Sequence, residues 1–284
     1  MRGRIDGFYF IKFMRTVITI CTILIWTTAY GQFDKFKGTW ISSSSDVMVI
    51  NDTINEYDNS NMLCTANKDE GMAFYLFGDT LSFQKKYYSS ATNYEKLYID
   101  RYDLIVLKQT DTSITVRPSS KLSKKFFDNR TNITFIKQEF NKDKSIIFEK
   151  IVYHTTNCFG SCPIIDMEID SNRNVYLKGE FYKDGLGFEI DSIRSGQFAG
   201  KLNDTLYNEL IDILQTCNLK TLVFREALCC DAPITTLIIY YNGQRKYFKS
   251  MFPPTIADEL IIFLYFVNEK ADLTKTNEER IIEE

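Results

Sequence analysis

The sequence predicts an α+β protein, predominantly antiparallel β. An N-terminal β-barrel or sandwich is followed by a domain in which two helices cover an antiparallel sheet. Three observations carry this expectation. Residues 33 to 137 fall into short strand-like runs divided by polar turns. Asn141 to Lys144 is a polar interruption, after which hairpin signals alternate with segments of helical period. The chain has 284 residues, 44% hydrophobic and 14% aromatic, which supplies apolar surface for two cores.

The first half opens on Gly38-Thr39-Trp40, and Val47 to Ile50 follows a serine run. Met72 to Phe77 ends at the turn dipeptide Gly78-Asp79. Strands are then expected at Thr80 to Phe83, Leu97 to Ile99, Leu104 to Leu107, Ser113 to Arg117 and Asn132 to Ile136. The early Gly-x-Trp, the close hairpins and the step Asp111 to Val116 resemble lipocalin-like small barrels of secreted bacterial proteins. That resemblance implies an interior able to take a small apolar ligand, and the aromatic residues between 72 and 107 suit either that role or a filled core.

In the second half, Ile147 to Tyr153 reads as a strand, and Ile164 to Ile169 with Val175 to Phe181 forms a hairpin around Ser171 to Asn174. Leu206, Tyr207, Leu210, Ile211, Ile213 and Leu214 predict a helix over Asp204 to Leu214, capped by Asn203 or Asp204. Thr235 to Tyr241 and Arg245 to Phe248 enclose Asn242-Gly243, the dipeptide of a tight hairpin. Pro253-Pro254-Thr255 introduces a second helix, about Ala257 to Val267. Thr274 to Glu284 is a polar tail, expected to be disordered.

At the N-terminus, Arg15 precedes the apolar run Val17 to Trp26, and Ala29-Tyr30-Gly31 offers small residues for cleavage before Gln32. Residues 1–31 therefore read as a secretory signal peptide, followed by a barrel-like domain at 32–140, an α+β domain at 141–273 and the tail at 274–284. The expected location is the periplasm or the extracellular space. The apolar run is shorter than the ~20 residues that span a bilayer, so no stable membrane span is expected after cleavage. Removing residues 1–31 takes Arg2, Arg4, Lys12, Arg15 and Asp6 from 34 basic and 37 acidic residues, leaving 30 against 36. A mildly acidic mature chain disfavours nucleic acid as a partner, because phosphate needs a basic surface. No phosphate loop, dinucleotide fingerprint or calcium loop occurs, and no cofactor or metal is predicted.

Four cysteines cluster in two loops, Cys158-Phe159-Gly160-Ser161-Cys162-Pro163 and Cys229-Cys230-Asp231-Ala232-Pro233. In an exported chain such cysteines serve as staples, and a bridge from Cys158 or Cys162 to Cys229 or Cys230 ranks first among the pairings. Zinc and thiol redox chemistry are the competing readings, since Cys158 and Cys162 have ligand spacing whereas Cys229 and Cys230 are adjacent. The first run, the hairpin after it, a helix, Asp231-Ala232-Pro233, the Asn242-Gly243 hairpin and a final helix resemble domain of unknown function 6438 over about residues 147 to 270. Cys158, Cys162, Asp231 and Pro233 match its pattern. The resemblance implies a bacterial, mostly exported module and brings no activity with it.

His154 is the only histidine, at the end of an alternating strand, where a satisfied structural imidazole is expected. Together with Phe159, Gly160, Pro163, Asp231 and Pro233 it defines a candidate functional loop. Asp166, Glu168 and Asp170 alternate onto one strand face, expected to be solvated. These observations favour a non-catalytic binding or interaction module of the cell envelope, with a small apolar ligand or an envelope protein as partner. The alternative is an envelope hydrolase or a thiol- or metal-dependent enzyme that gathers His154, Ser161 and an acidic group, or uses Cys158 and Cys162.

Overall fold

The computed structural model describes residues 33–51, 61–65, 68–183, 189–225 and 231–284. The expected signal peptide and the Cys229-Cys230 pair lie outside the described residues. The chain divides into two compact units between Lys137 and Gln138.

The first unit is a closed antiparallel barrel in which each strand pairs with its neighbour in sequence and the last returns to the first. Its strands are β1 (Gly38–Ser42), β2 (Val47–Ile50), β3 (Asn61–Thr65), β4 (Lys68–Phe77), β5 (Thr80–Tyr88), β6 (Leu97–Gln109), β7 (Ser113–Pro118) and β8 (Ile133–Lys137). Of the expected barrel or sandwich, the barrel forms. Alternation sends Leu81 and Phe83, Ile114 and Val116, and Phe135 inward, where all are buried. Phe74 and Phe83 pack edge to face at 5.1 Å between centroids, and Phe127 and Phe135 at 6.3 Å. Trp40 donates its indole N–H to the Phe36 carbonyl at 2.8 Å, so the largest core side chain brings no unpaired polar group inside.

The expected short strands at 97–99 and 104–107 are one continuous strand, β6. The polar residues between them keep the alternation: Arg101 and Asp103 share a face and bond each other at 3.4 Å, and Ser82 donates to Asp103 at 2.6 Å. Helix α1 (Lys121–Phe126), which no sequence pattern announced, is capped by Ser120 and brings Phe126 and Phe127 to the core.

The second unit is a seven-stranded antiparallel sheet. In chain order its elements are β9 (Phe148–Thr155), β10 (Ile164–Asp170), β11 (Asn174–Glu180), β12 (Gly196–Lys201), α2 (Asp204–Thr216), β13 (Thr235–Tyr241), β14 (Gln244–Ser250), α3 (Asp258–Tyr265), α4 (Val267–Lys270) and β15 (Asp272–Lys275). Across the sheet the strands run β14-β13-β9-β10-β11-β12-β15. Asn203 caps α2 by accepting from Leu206 N–H at 2.9 Å. Asn242 and Gly243 both take positive φ, which is the turn that closes the β13–β14 hairpin without splaying it. The second expected helix is divided: a 3-10 turn over Thr255–Ala257 precedes α3, and Phe266 separates α3 from α4.

One sheet face carries Ile151, Tyr153, Ile165, Met167, Ile169, Val175, Leu177, Leu237 and Ile239, all essentially buried. Leu206, Leu210 and Leu214 of α2 and Leu260, Phe263 and Leu264 of α3 supply the helical side of this core. The opposite face receives the end of the chain. Residues 276–284 have no regular structure yet lie in contact with the sheet, so the disorder expected from their polar composition does not hold.

Candidate functional site

Cross-strand register places the site residues. On the face opposite the helices, His154 of β9 lies beside Asp166 of β10, which lies beside Lys178 of β11, which lies beside Gln197 of β12. One step along the strands Val152 lies between Ile238 and Glu168, with Tyr176 beyond Glu168. A further step brings Arg245, Tyr240 and Lys150 into line.

The chain end crosses these strands as a strap. Thr276 N–H donates to the Gln197 carbonyl at 3.0 Å. Tyr176 donates its hydroxyl to the Glu278 carbonyl at 2.9 Å and accepts from Arg280 N–H at 3.2 Å. The Arg280 guanidinium pairs with Glu168, which Lys150 also approaches at 3.5 Å. The Glu283 carboxylate accepts from the Tyr240 hydroxyl at 2.6 Å, Arg245 Nε at 2.9 Å and Lys150 Nζ at 3.3 Å. Val152 and Ile238 are therefore roofed by the strap and are 0% exposed although they face away from the helices. Glu168, expected on a solvated face, is 7% exposed because Arg280 and Lys150 close over it.

His154 has both ring nitrogens engaged. Nδ1 meets Asp166 Oδ1 at 2.8 Å and Nε2 meets the Glu283 carbonyl at 2.6 Å. Both partners accept, so the doubly protonated imidazolium suits the pair. Burial works against that charge, but the hydrogen bonds to Asp166 and to the Glu283 carbonyl outweigh it and raise the pKa above its usual 6.5. The Glu283 carboxyl is held below its usual 4.5, chiefly by the Tyr240 hydrogen bond and also by Arg245 and Lys150.

The signs of these shifts set a pH window for strap docking. The His154 contribution is complete below its ordinary pKa of 6.5 and is lost as pH rises through the raised folded value. The Glu283 contribution is complete above its ordinary 4.5 and is lost as pH falls through the depressed folded value. Strap contacts are thus expected to be strongest between those ordinary values and to loosen on the alkaline side. NMR titration checks this, since the imidazole signal of the sole histidine is unambiguous. The Glu283 amide should move with it, and strap amides insensitive to pH across the His154 titration would refute the coupling.

Between the strap and the row of His154, Asp166, Lys178 and Gln197 lies a cleft of about 330 Å³, bounded on the strap side by Glu279, Arg280, Ile281, Ile282 and Glu284. Among the described residues, neither the Lys178 ammonium nor the Gln197 side-chain amide has a hydrogen-bond or ion-pair partner. The Asp166 side chain retains 37% exposure beside His154.

The cysteine loop sits beyond the end of β9. Cys158 and Cys162 are bonded to each other. The bridge ranked first, from one of these to Cys229 or Cys230, is therefore replaced by a local ring. The reason is proximity: five consecutive residues returning from β9 into β10 bring the two Cα atoms to 5.6 Å. Phe159 N–H donates to the Asp231 carbonyl at 3.4 Å, and Thr156 N–H to the Ile234 carbonyl at 3.1 Å, so residues 231–234 run beside the segment that leads into the Cys158–Cys162 ring. Phe159 itself is 90% exposed. Pro163 accepts from the Thr155 hydroxyl at 2.8 Å, and Gly160 N–H closes on the Cys158 carbonyl at 2.9 Å. Pro233 lies between Asp231 and Ile234, on the segment that docks against this loop. His154 belongs to a different arrangement, since its nitrogens turn to Asp166 and Glu283. No hydrogen bond joins it to Ser161 among the described residues, so the histidine-serine relay does not assemble.

The residues that complete the site, Lys150, Lys178, Gln197, Tyr240, Arg245, Arg280 and Glu283, were not singled out by sequence reasoning. Strand alternation gave a partial signal for Lys150 and His154, two positions apart on β9, but nothing local indicated the strap. Residues 149–263 match the family described as Domain of unknown function (DUF6438), as the cysteine run and the Asp231-Pro233 segment led one to expect. No curated protein and no solved structure matches the chain. Every sheet residue that receives the strap falls inside the matched segment, whereas the strap itself lies beyond it.

Proposed function

We propose that the protein is an exported, non-catalytic binding module of the bacterial envelope whose recognition site is the charged cleft of the second domain. The observation that carries the reading is the pairing of unpartnered donors with a half-exposed carboxylate: Lys178 and Gln197 on one side, Asp166 on the other. Such a lining suits a small ligand bearing both a carboxylate and an amine, such as an amino acid or a short peptide. Two further features support binding over catalysis. Cys158 and Cys162 hold each other, and both His154 nitrogens are occupied. The barrel interior is filled by its own side chains, which favours the second domain as the site of recognition over an apolar ligand in the barrel. Export is supported by the leader-like N-terminus and by a disulfide, which persists in oxidising compartments.

The test is thermal unfolding of the mature chain with a panel of amino acids, dicarboxylates and dipeptides. A ligand at a hundred times its Kd is expected to add about 2.7 kcal/mol of stability, and Lys178→Ala with Gln197→Ala should abolish the shift. Stabilisation unchanged in that double variant, or none from any member of the panel, would overturn the cleft assignment. Fractionation of a bacterial host with intact-mass analysis tests export: the expected product begins at Gln32, and a product retaining residues 1–31 in the cytoplasm refutes it.

A further inference from the structure

We infer that the strap is a built-in occupant of a peptide-binding face, and that the face takes an extended acidic segment of a partner protein in its place. The inference goes beyond the cleft reading and uses different residues: Lys150, Tyr240, Arg245 and Glu168, none of which lines the cleft.

The receiving face is complementary to a particular pattern. Lys150, Tyr240 and Arg245 converge three donors on one carboxylate, that of Glu283. Glu168 accepts one guanidinium, that of Arg280. Glu168 lies on β10, whereas Lys150, Tyr240 and Arg245 lie on β9, β13 and β14, so the acidic and basic stations are one to three strands apart. Strands are spaced about 4.8 Å apart, and three residues of extended chain reach at most about 10 Å. Arg280 and Glu283, three positions apart on the strap, each reach one of these stations. Tyr176 adds backbone recognition by bonding the Glu278 carbonyl and the Arg280 N–H. Val152 and Ile238 form an apolar floor between the stations.

The strap's own hold is of the kind that opens. After Thr276 its backbone enters no strand ladder, and its sheet contacts are made by or to side chains. Lys150 and Arg245 meet Glu283 in pairs whose two members are both partly exposed, and such pairs add little to stability; only the Arg280 pair reaches a buried carboxylate, that of Glu168. Ile281 is 98% exposed and anchors nothing. None of residues 276–284 is itself buried, and a segment with so little of its own surface buried opens below the global unfolding energy. The receiving residues lie within the matched family segment, and the occupant lies beyond it.

The experiment uses the full mature chain and a fluorescein-labelled synthetic peptide copying residues 276–284. Glu283→Gln weakens the internal occupant without touching the face, and this variant is expected to bind the peptide about tenfold more tightly than the unaltered chain, the factor for a 1.4 kcal/mol change. Adding Arg245→Ala to Glu283→Gln should return binding to the starting level, and a peptide carrying Gln in place of its penultimate Glu should bind weakly. Lys178→Ala should leave peptide binding intact, which separates this face from the cleft: loss of cleft ligands with peptide binding retained refutes only the cleft assignment. Equal peptide binding by the unaltered and Glu283→Gln chains, or binding indifferent to Arg245→Ala, overturns the inference. A dimer of the unaltered chain that dissociates on Arg245→Ala also overturns it, since the occupant is then a second copy.

Discussion

Replacing Arg130 by Met is expected to destabilise the barrel by about 3–5 kcal/mol, the cost of leaving a buried charge without its partner. Asp46, 2% exposed, receives both arms of the Arg130 guanidinium at 2.7 and 2.9 Å and the Ser42 hydroxyl at 2.6 Å. The pair raises the Arg130 pKa, chiefly through the Asp46 hydrogen bond. Arg130 also donates Nε–H to the Phe127 carbonyl at 3.0 Å and stacks over the Phe127 ring, so it fastens the turn after α1 to the start of β2. The loss should be read by denaturant unfolding followed at Trp40, which is the only tryptophan left once residues 1–31 are removed. A double variant, Asp46→Leu with Arg130→Met, should recover much of the loss, because the penalty belongs to the orphaned carboxylate. A single variant within about 1 kcal/mol of the parent would place Asp46 in contact with water and refute the buried-pair account.

The barrel and the hairpins were legible because their determinants are local. Leu81 and Phe83, or Ile114 and Val116, announce their strands by alternation within a few residues, and Asn242-Gly243 specifies its turn alone. Register was less legible: Asp100 to Asp103 reads as a break, although Arg101 and Asp103 are neighbours on one face of a continuous strand. Cysteine pairing was misread because two loops held in contact by Asp231 and Ile234 look, in sequence, as suited to a cross-link as the local ring that forms. The candidate site was the least legible part. Its His154 stood out only as the sole histidine, and the composition of 276–284 points to disorder. Order there comes from partners far away in sequence, 129 positions for His154 and 133 for Lys150 in their contacts with Glu283. Neither periodicity nor spacing within a window can register such contacts.

The same dependence on distant contacts makes one small residue decisive for the strap. β15 joins the sheet only through β12, with Gly200 opposite Leu273 and Lys201 opposite Asp272. A Cβ on Gly200 would lie 2.2 Å from the Asp272 carbonyl oxygen and 2.8 Å from the Leu273 side chain. The first of these is backbone, so the neighbour can yield only by leaving its place in the ladder. Gly200→Val is therefore expected to unseat β15, with an overpacking cost of about 1–3 kcal/mol concentrated on this edge. Since Thr276 begins the strap directly after β15, the strap loses its anchored origin and its hold on Glu168 and Lys150 weakens. Opening should become at least about tenfold more frequent, the factor for 1.4 kcal/mol, while the barrel, sensed by Trp40, keeps its stability. Limited trypsin digestion after Arg280, followed by mass, reads the opening directly. Faster loss of residues 281–284 in Gly200→Val is the expected result. Cleavage at the parental rate would mean that Arg280 and Glu283 dock without help from β15, and the strap would then be held by its side chains alone.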